Sequence, residues 1–360
     1  MSDPDRRQTA AIALCALLSP LIRQLPTAAV RAVGGYAWLC CALAVLPVAL
    51  LYLILRRILS RGAEGESLTD RICAAFGEVA GRGALLLAAL WMLFYLGFVL
   101  RAGAERFVSA IYPSSGITPF IAVTALLVLS AGLKRYKVTV RCAEVVTPIL
   151  LTVLGVSFLF VLPEIEAENL FPVTVPAATG LLRDSLSAAD TLAIGLYAAF
   201  LPGDFSRGKR PRLFPRIVLL PALIALCLCA AVIGVFGAEL AGELDYPFFV
   251  LLRSVRLSHL FERIEAVIIV QWVFTDFLLG ALLLHAAVRC IRRVLGIRSA
   301  RAGRALVCIS LALSFAAAFL CADNAFALHS LAASLMPLGN AILLFGLPIL
   351  TLIAEKLRGA

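Results

Sequence analysis

Asp276 stands midway between Arg263 and Arg289 in a run that is otherwise largely apolar. If that run crosses lipid, the carboxylate sits near the bilayer centre, where an ionisable group costs at least about 2.5 kcal/mol unless it is paired or wet. At 100° per residue, Glu262, Glu265, Trp272, Asp276 and Gly280 fall within about 40° of one line on a helix. Such a stripe must face protein or water. Three kinds of chemistry suit it: a proton or cation site, a counter-charge for a substrate ammonium, or a structural ion pair. Arg23, the basic residue inside the first apolar run, is the candidate partner for the last of these.

The other reactive side chains are scattered. His285 lies opposite Asp276 on the same helix, and His259 and His329 are far from it, so neither a metal site nor a histidine-based catalytic pair is indicated. Of ten cysteines, Cys15, Cys40, Cys41, Cys227, Cys229, Cys308 and Cys321 fall in or beside apolar runs, where thiols behave as small hydrophobes. They lack metal-ligand spacing and form no disulfide framework. Tyr95, Asp190 and Asn340 either line a cavity or bond a neighbouring helix, and Glu105 and Arg106 are placed at a membrane interface. With no nucleophile and base, and no paired metal ligands, the pattern is not that of an enzyme. It requires no cofactor, and coupling to a proton or monovalent cation stays open.

The elements that must position these residues follow from composition. Of 360 residues 62% are hydrophobic and 15% charged, and the mean hydropathy is +1.00. A water-soluble core cannot hide so much apolar surface, and disorder, coiled coil, collagen and a small disulfide scaffold are excluded by the same figures. What remains is an all-α polytopic membrane protein with lipid as its solvent. Runs of about 20 apolar residues give ten predicted spans, 10–30, 33–55, 83–106, 117–133, 145–162, 188–203, 217–238, 264–288, 304–322 and 333–355. The first reads as a retained span rather than a removed signal peptide, because Arg6 and Arg7 are followed by no small-residue cleavage site. The net charge of +10 does not signal nucleic acid. About three quarters of the 32 Lys and Arg fall in the two tails and the loops after even-numbered spans, which puts both termini in the cytoplasm.

Two connecting segments carry structure of their own. Ser67, Leu68, Thr69 and Asp70 resemble a capping box, followed by Ile72, Ala75, Phe76 and Val79 at helical spacing. They predict a short amphipathic helix on the membrane face. The segment from Tyr246, Pro247, Phe248 and Phe249 to Phe261 is apolar enough to pack back over the bundle.

One membrane domain, residues 1–360, divides into five-span halves, 10–162 and 188–355. Five is odd, so similarity between the halves would be an inverted repeat with a site near midplane. The equivalent first spans are the two worst helices: Ser19, Pro20, Arg23 and Pro26 interrupt one, and Gly195, Pro202 and Gly203 the other. Matched interruptions point to a substrate site; the alternative is a pair of kinks without function.

Four stretches carry a family resemblance. They are LLSPLIRQLP with Gly34, Gly35 and Trp38; Gly132, Leu133, Arg141, Glu144 and Pro148; LPEIEAENLFPV at 162–173; and Tyr246, Pro247, then Phe261, Glu262, Arg263, Ile264, Glu265 and Trp272. In that order the chain resembles the B subunit of spore germinant receptors, the endospore germination permease family within the amino acid, polyamine and organocation transporter superfamily. The resemblance implies ten transmembrane helices in two inverted five-helix repeats, as in LeuT-like transporters. It implies a subunit that senses small germinants, chiefly amino acids, in the inner membrane of a spore, with a second membrane subunit and a lipoprotein subunit as partners. Many members place a lysine a few residues after the tryptophan, where this chain has Leu279. An amino acid would then meet the helix start after the break at Ser19, Pro20, Leu21, Ile22 and Arg23 with its carboxylate. Its ammonium would meet carbonyls freed around Gly195, with Asp276 or Thr275, and Tyr95, Ala198, Trp272 and Leu279 would complete the pocket. The alternative is a proton- or cation-coupled amino acid permease.

Overall fold

A backbone in lipid has to satisfy its hydrogen bonds within its own segment, and among the described residues the chain forms helices and no strand. The computed structural model describes residues 4–62, 65–171, 178–203, 213–254 and 262–358. His259 and Phe261 and the side chains of Glu262, Arg263, Ile264 and Glu265 lie outside the described residues, so the outer half of the predicted stripe does too.

The α-helices run α1 Arg6–Arg23, α2 Leu25–Val33, α3 Ala37–Leu43, α4 Val45–Ser60, α5 Leu68–Phe76, α6 Glu78–Ala110, α7 Thr118–Gly132, α8 Tyr136–Val161, α9 Ala167–Leu170 and α10 Ala178–Ala193. They continue as α11 Leu220–Glu243, α12 Pro247–Ser254, α13 Glu262–Leu295, α14 Ala300–Leu320, α15 Ala325–Ala333, α16 Leu335–Asn340 and α17 Leu347–Leu357. Seven stretches are long and apolar enough to cross a membrane, Leu25–Ser60, Glu78–Ala110, Tyr136–Glu164, Pro215–Glu243, Ile269–Leu295, Ala300–Leu320 and Ala325–Leu357. The ten-span expectation adds α1, α7 and α10, which are shorter or less apolar. Leu87, Leu126, Leu159 and Leu320 point outward and are 64–83% exposed, as a lipid-facing surface requires.

The two interrupted spans behave differently. The first does not unwind at Ser19–Arg23: those residues are helical, and the interruption is the single residue Gln24 between α1 and α2. The Gln24 N–H still donates to the Pro20 carbonyl (2.9 Å) and its own carbonyl still accepts from Ala28 (3.0 Å). Pro26 falls in the first turn of α2, where its missing N–H is not needed. The expected free amides are therefore not presented there. α2 ends at Gly34, whose φ of 61° favours glycine, before a short 3₁₀ turn. Span 6 does leave the α-helix. Beginning ten residues before its expected start, α10 passes into a 3₁₀ stretch, Ile194–Phe200, and ends at an extended Leu201. All seven residues of that stretch are buried.

α1 is clamped to α8: Gln8 Nε2 donates to Glu144 (3.0 Å), and the Cys15 and Thr147 side chains meet at 2.9 Å. At the cytoplasm-facing end predicted for the loop after α4, α5 forms as expected, with the Ser67 N–H donating to Asp70 (3.1 Å). Gly77, at φ 83°, stops it, so Val79 belongs to α6 and is exposed rather than part of the apolar face. α12 packs back over the bundle with Phe248 and Phe249 buried, as its composition predicts.

Candidate functional site

Small residues decide how near the charged helices come. Gly103 of α6 faces Asp276 of α13, and a Cβ there would stand 2.7 Å from the carboxylate Oδ2. Four residues along α13, Gly280 packs against Val128 and Leu96 with equally little room. Close backbone approach of this kind is how membrane helices gain packing energy without a hydrophobic drive.

Into that contact the structure sets an ion pair. Asp276, 3% exposed, accepts from Arg106 Nη2 at 2.5 Å, and its other oxygen accepts from the Ser19 hydroxyl of α1. Arg106 is 1% exposed and stacks over the Trp272 ring at 4.4 Å, so it is not at the interface where sequence reasoning placed it. α6 runs on to Ala110, which keeps Arg106 inside the bundle. One signal could have found it: Tyr95 and Arg106 are eleven residues apart, three full turns, and share a face.

Arg23 is not the partner of Asp276. It is 5% exposed, lies over the Phe98 ring at 5.6 Å, and among the described residues none of its three guanidinium nitrogens has a hydrogen-bond partner. Nε and Nη1 of Arg106 are likewise unpartnered. Since Ser19 and Arg23 are four apart on α1, their Cβ atoms sit about 5–6 Å apart, and Arg23 lies near enough to Arg106 for the two like charges to act on one another.

A second polar cluster adjoins the 3₁₀ stretch. Asn340 Oδ1 accepts from the Tyr197 hydroxyl (2.7 Å) and from Trp91 Nε1 (3.0 Å), while its Nδ2 donates to Asp190 (3.3 Å). The Asp190 Oδ1 is buried without a partner among the described residues. Gly339 lets the Trp91 ring lie against α16, since a Cβ there would be 2.1 Å from it, and a π-helical stretch, Ala341–Gly346, follows at once. Such π turns recur at functional sites. Tyr95 joins the clusters, stacking on Phe98 and facing Tyr197, each at 6.1 Å. Asp190 and Asn340 therefore bond across helices, and Tyr197, Trp91 and Arg106 are the members sequence reasoning did not name for the site.

The remaining predicted residues are all buried. Thr275 turns its hydroxyl back to the Gln271 and Trp272 carbonyls (2.9 and 3.0 Å). Gly195 abuts Ala13, whose carbonyl would lie 2.5 Å from an added Cβ. Ala198, Leu279, Pro20, Leu21 and Ile22 line the surrounding core. His285 faces the other way, meeting Thr139 at 3.1 Å, and among the described residues no three His, Cys, Asp or Glu side chains gather as metal ligands.

Toward its C-terminal end α13 makes a second charged contact. Arg289 donates to Ser67 (3.0 Å), Thr69 (3.1 Å) and Asp70 (2.8 Å) of α5. From the other side α5 is held by Arg71 on Glu355 of α17 (2.6 Å), which also meets Arg61 at 3.3 Å. Burial pushes the Asp70 carboxyl up, but Arg289 and the Ser67 N–H and hydroxyl together outweigh it and hold the group below the usual carboxylate range.

An all-helical bundle of apolar spans, one of which gives way to a buried 3₁₀ stretch beside buried polar side chains, is the architecture of the LeuT fold. The solved structures agree. MhsT in complex with L-phenylalanine superposes with a TM-score of 0.66 at 15% identity, covering 99% of each chain. Mhp1, a nucleobase-cation-symport-1 family transporter in a closed conformation with bromovinylhydantoin bound, gives 0.65 at 15% identity, covering 95% of this chain and 78% of the other. A Na⁺-coupled sialic acid symporter in a substrate-bound outward-open state gives 0.60 at 10% identity, with 94% and 79% covered. At such identities the likeness is one of fold. No curated protein matches by sequence. The family model for spore germination proteins matches residues 7–326, nearly the whole chain, and the chain belongs to that family.

Proposed function

We propose that this protein is the germinant-sensing subunit of a spore germination receptor in the inner membrane of the spore. It binds a small molecule, an amino acid, at mid-depth between span 1 and span 6. One observation carries the reading: Ile194–Phe200 leaves the α-helix while wholly buried against α1, and lipid tolerates irregular backbone only where protein or a polar cavity covers it. Ten crossings in two inverted five-helix repeats, with both termini cytoplasmic, fit the loop charges. A second membrane subunit and a lipoprotein subunit complete the receptor.

Asp276 is engaged by Arg106 and Ser19 and so is not free to meet an ammonium in this arrangement. Its role here is to tie α1, part of the span 1 and 6 bundle, to α6 and α13. Ligand binding shifts that bundle only as far as its affinities for the two arrangements differ. The solved proteins of this fold are transporters, which favours a second reading, a proton- or cation-coupled amino acid permease. Proteoliposomes and labelled L-alanine separate the two: bound label without accumulation supports sensing, and accumulation driven by an ion gradient supports the permease. Copurification of the two partner subunits with the tagged chain from spore membranes tests the receptor assignment.

A further inference from the structure

The bundle interior holds more positive charge than its ion pair uses. The two oxygens of the Asp276 carboxylate are taken by Ser19 and Arg106, and a second guanidinium, Arg23, one turn along α1 from Ser19, acts on Arg106 as a neighbouring like charge. Three nitrogens of Arg23 and two of Arg106 remain buried and unpartnered among the described residues. An arginine is always charged and carries five N–H donors with no means of neutralising itself. A charge left so at mid-depth is expensive, and residues of this kind mark ligand paths. Around it stand aromatic faces, Phe98 under Arg23 and Trp272 under Arg106, which orient the guanidinium planes without occupying their donor edges.

We propose that Arg23, with Arg106 beside it, is an anion-binding site that takes the carboxylate of the ligand. The assignment rests on the mid-depth site proposed above and deepens it. The carboxylate is met by a guanidinium side chain rather than by backbone amides of an opened span 1, which this chain keeps helical. A planar guanidinium matches a carboxylate in bidentate fashion. The shared chemistry is a small organic carboxylate, whether free or as one end of an amino acid. The internal rivals are the buried carboxylates with an oxygen that lacks a hydrogen bond among the described residues, Glu105, which already faces Arg101 at 3.4 Å, and Asp190; an Arg23–Asp190 pair would make both structural.

The test is thermal unfolding of the detergent-purified full chain with and without L-alanine, propanoate, which is alanine without its ammonium, and ethylamine, which is alanine without its carboxylate. In the unsubstituted protein propanoate and L-alanine raise Tm in a concentration-dependent way and ethylamine does not. Propanoate matching L-alanine identifies a free carboxylate as sufficient; L-alanine alone acting identifies the amino acid. Arg23→Met, with no charge to leave unpaired, keeps or raises the ligand-free Tm, and weakens the carboxylate response by about ten- to a hundredfold, the worth of one or two charge-assisted hydrogen bonds. Arg23→Lys retains part of it. A ligand-free Tm that falls steeply in Arg23→Met, and equally in Asp190→Asn, overturns the proposal in favour of the structural pair. L-Alanine stabilising both proteins alike overturns it while leaving the mid-depth site standing. No response to any of the three compounds in either protein counts against both.

Discussion

The buried pair of Asp276 and Arg106 is held by position as much as by charge. Taking both ions out of water is expensive, and the attraction between them compensates only while each keeps its partner. Asp276→Asn should therefore lower stability by about 3–5 kcal/mol by stranding Arg106, seen as a fall in Tm and in assembled protein. Adding Arg106→Met to it should restore most of that loss, because no buried charge is then left without its partner. If the double variant is as unstable as the single one, the pair is not what Arg106 contributes. Asp276 was legible from its place between Arg263 and Arg289, because a lone carboxylate in an apolar run is conspicuous. Its partner was not: a residue near the end of a predicted span reads as interfacial, and only the extension of α6 to Ala110 brings Arg106 inside.

Among the elements, the 3₁₀ stretch and α5 are the two whose local chemistry is open to direct trial. Gly195 allows the span 6 backbone to touch the Ala13 carbonyl, and a backbone atom has little room to yield. Gly195→Ala should cost about 1–3 kcal/mol through overpacking and shift the ligand response with it. An unchanged Tm would mean that the two segments do not meet as described. The clamp of Arg289 on Asp70 has a defined pH dependence. Because the folded carboxyl is held low, its contribution is complete above the ordinary value of about 3.9 and is lost as pH falls through the lower folded value. Protection of the α5 amides, their exchange relative to the intrinsic rate at the same pH, should hold from neutral pH down through that ordinary value and fall only below it, whereas Asp70→Asn should show weak protection at neutral pH as well. Sequence signals located α5 because its capping box and apolar spacing are local. The difference between a kink at Gln24 and a 3₁₀ stretch at Ile194–Phe200 was not local: both spans carry proline, Pro20 and Pro26 in the first and Pro202 in the sixth, and the two segments differ in what they pack against, α8 and α13 for α1, α1 and α13 for Ile194–Phe200.

For the molecule as a whole, the distribution of Lys and Arg predicts its orientation. In a background without the exposed Cys308, a cysteine placed at exposed Ser115 should react with a membrane-impermeant thiol reagent from outside, and one at exposed Ser299 only after the membrane is opened. The reverse pattern would invert every assignment of inside and outside. α13 gives that orientation a mechanical meaning. It is one uninterrupted α-helix, and thirteen residues separate the carboxylate on Ser19 from the guanidinium on α5, a length of about 20 Å. A rod of that length, tilted by about 10° when its inner contact is exchanged for a ligand, sweeps its far end through roughly 3–4 Å. Hydrogen bonds fail over such a distance. Under the proposed sensing role, word of an occupied interior would reach the Arg289 end as the release of a small helix, with nothing having crossed the membrane.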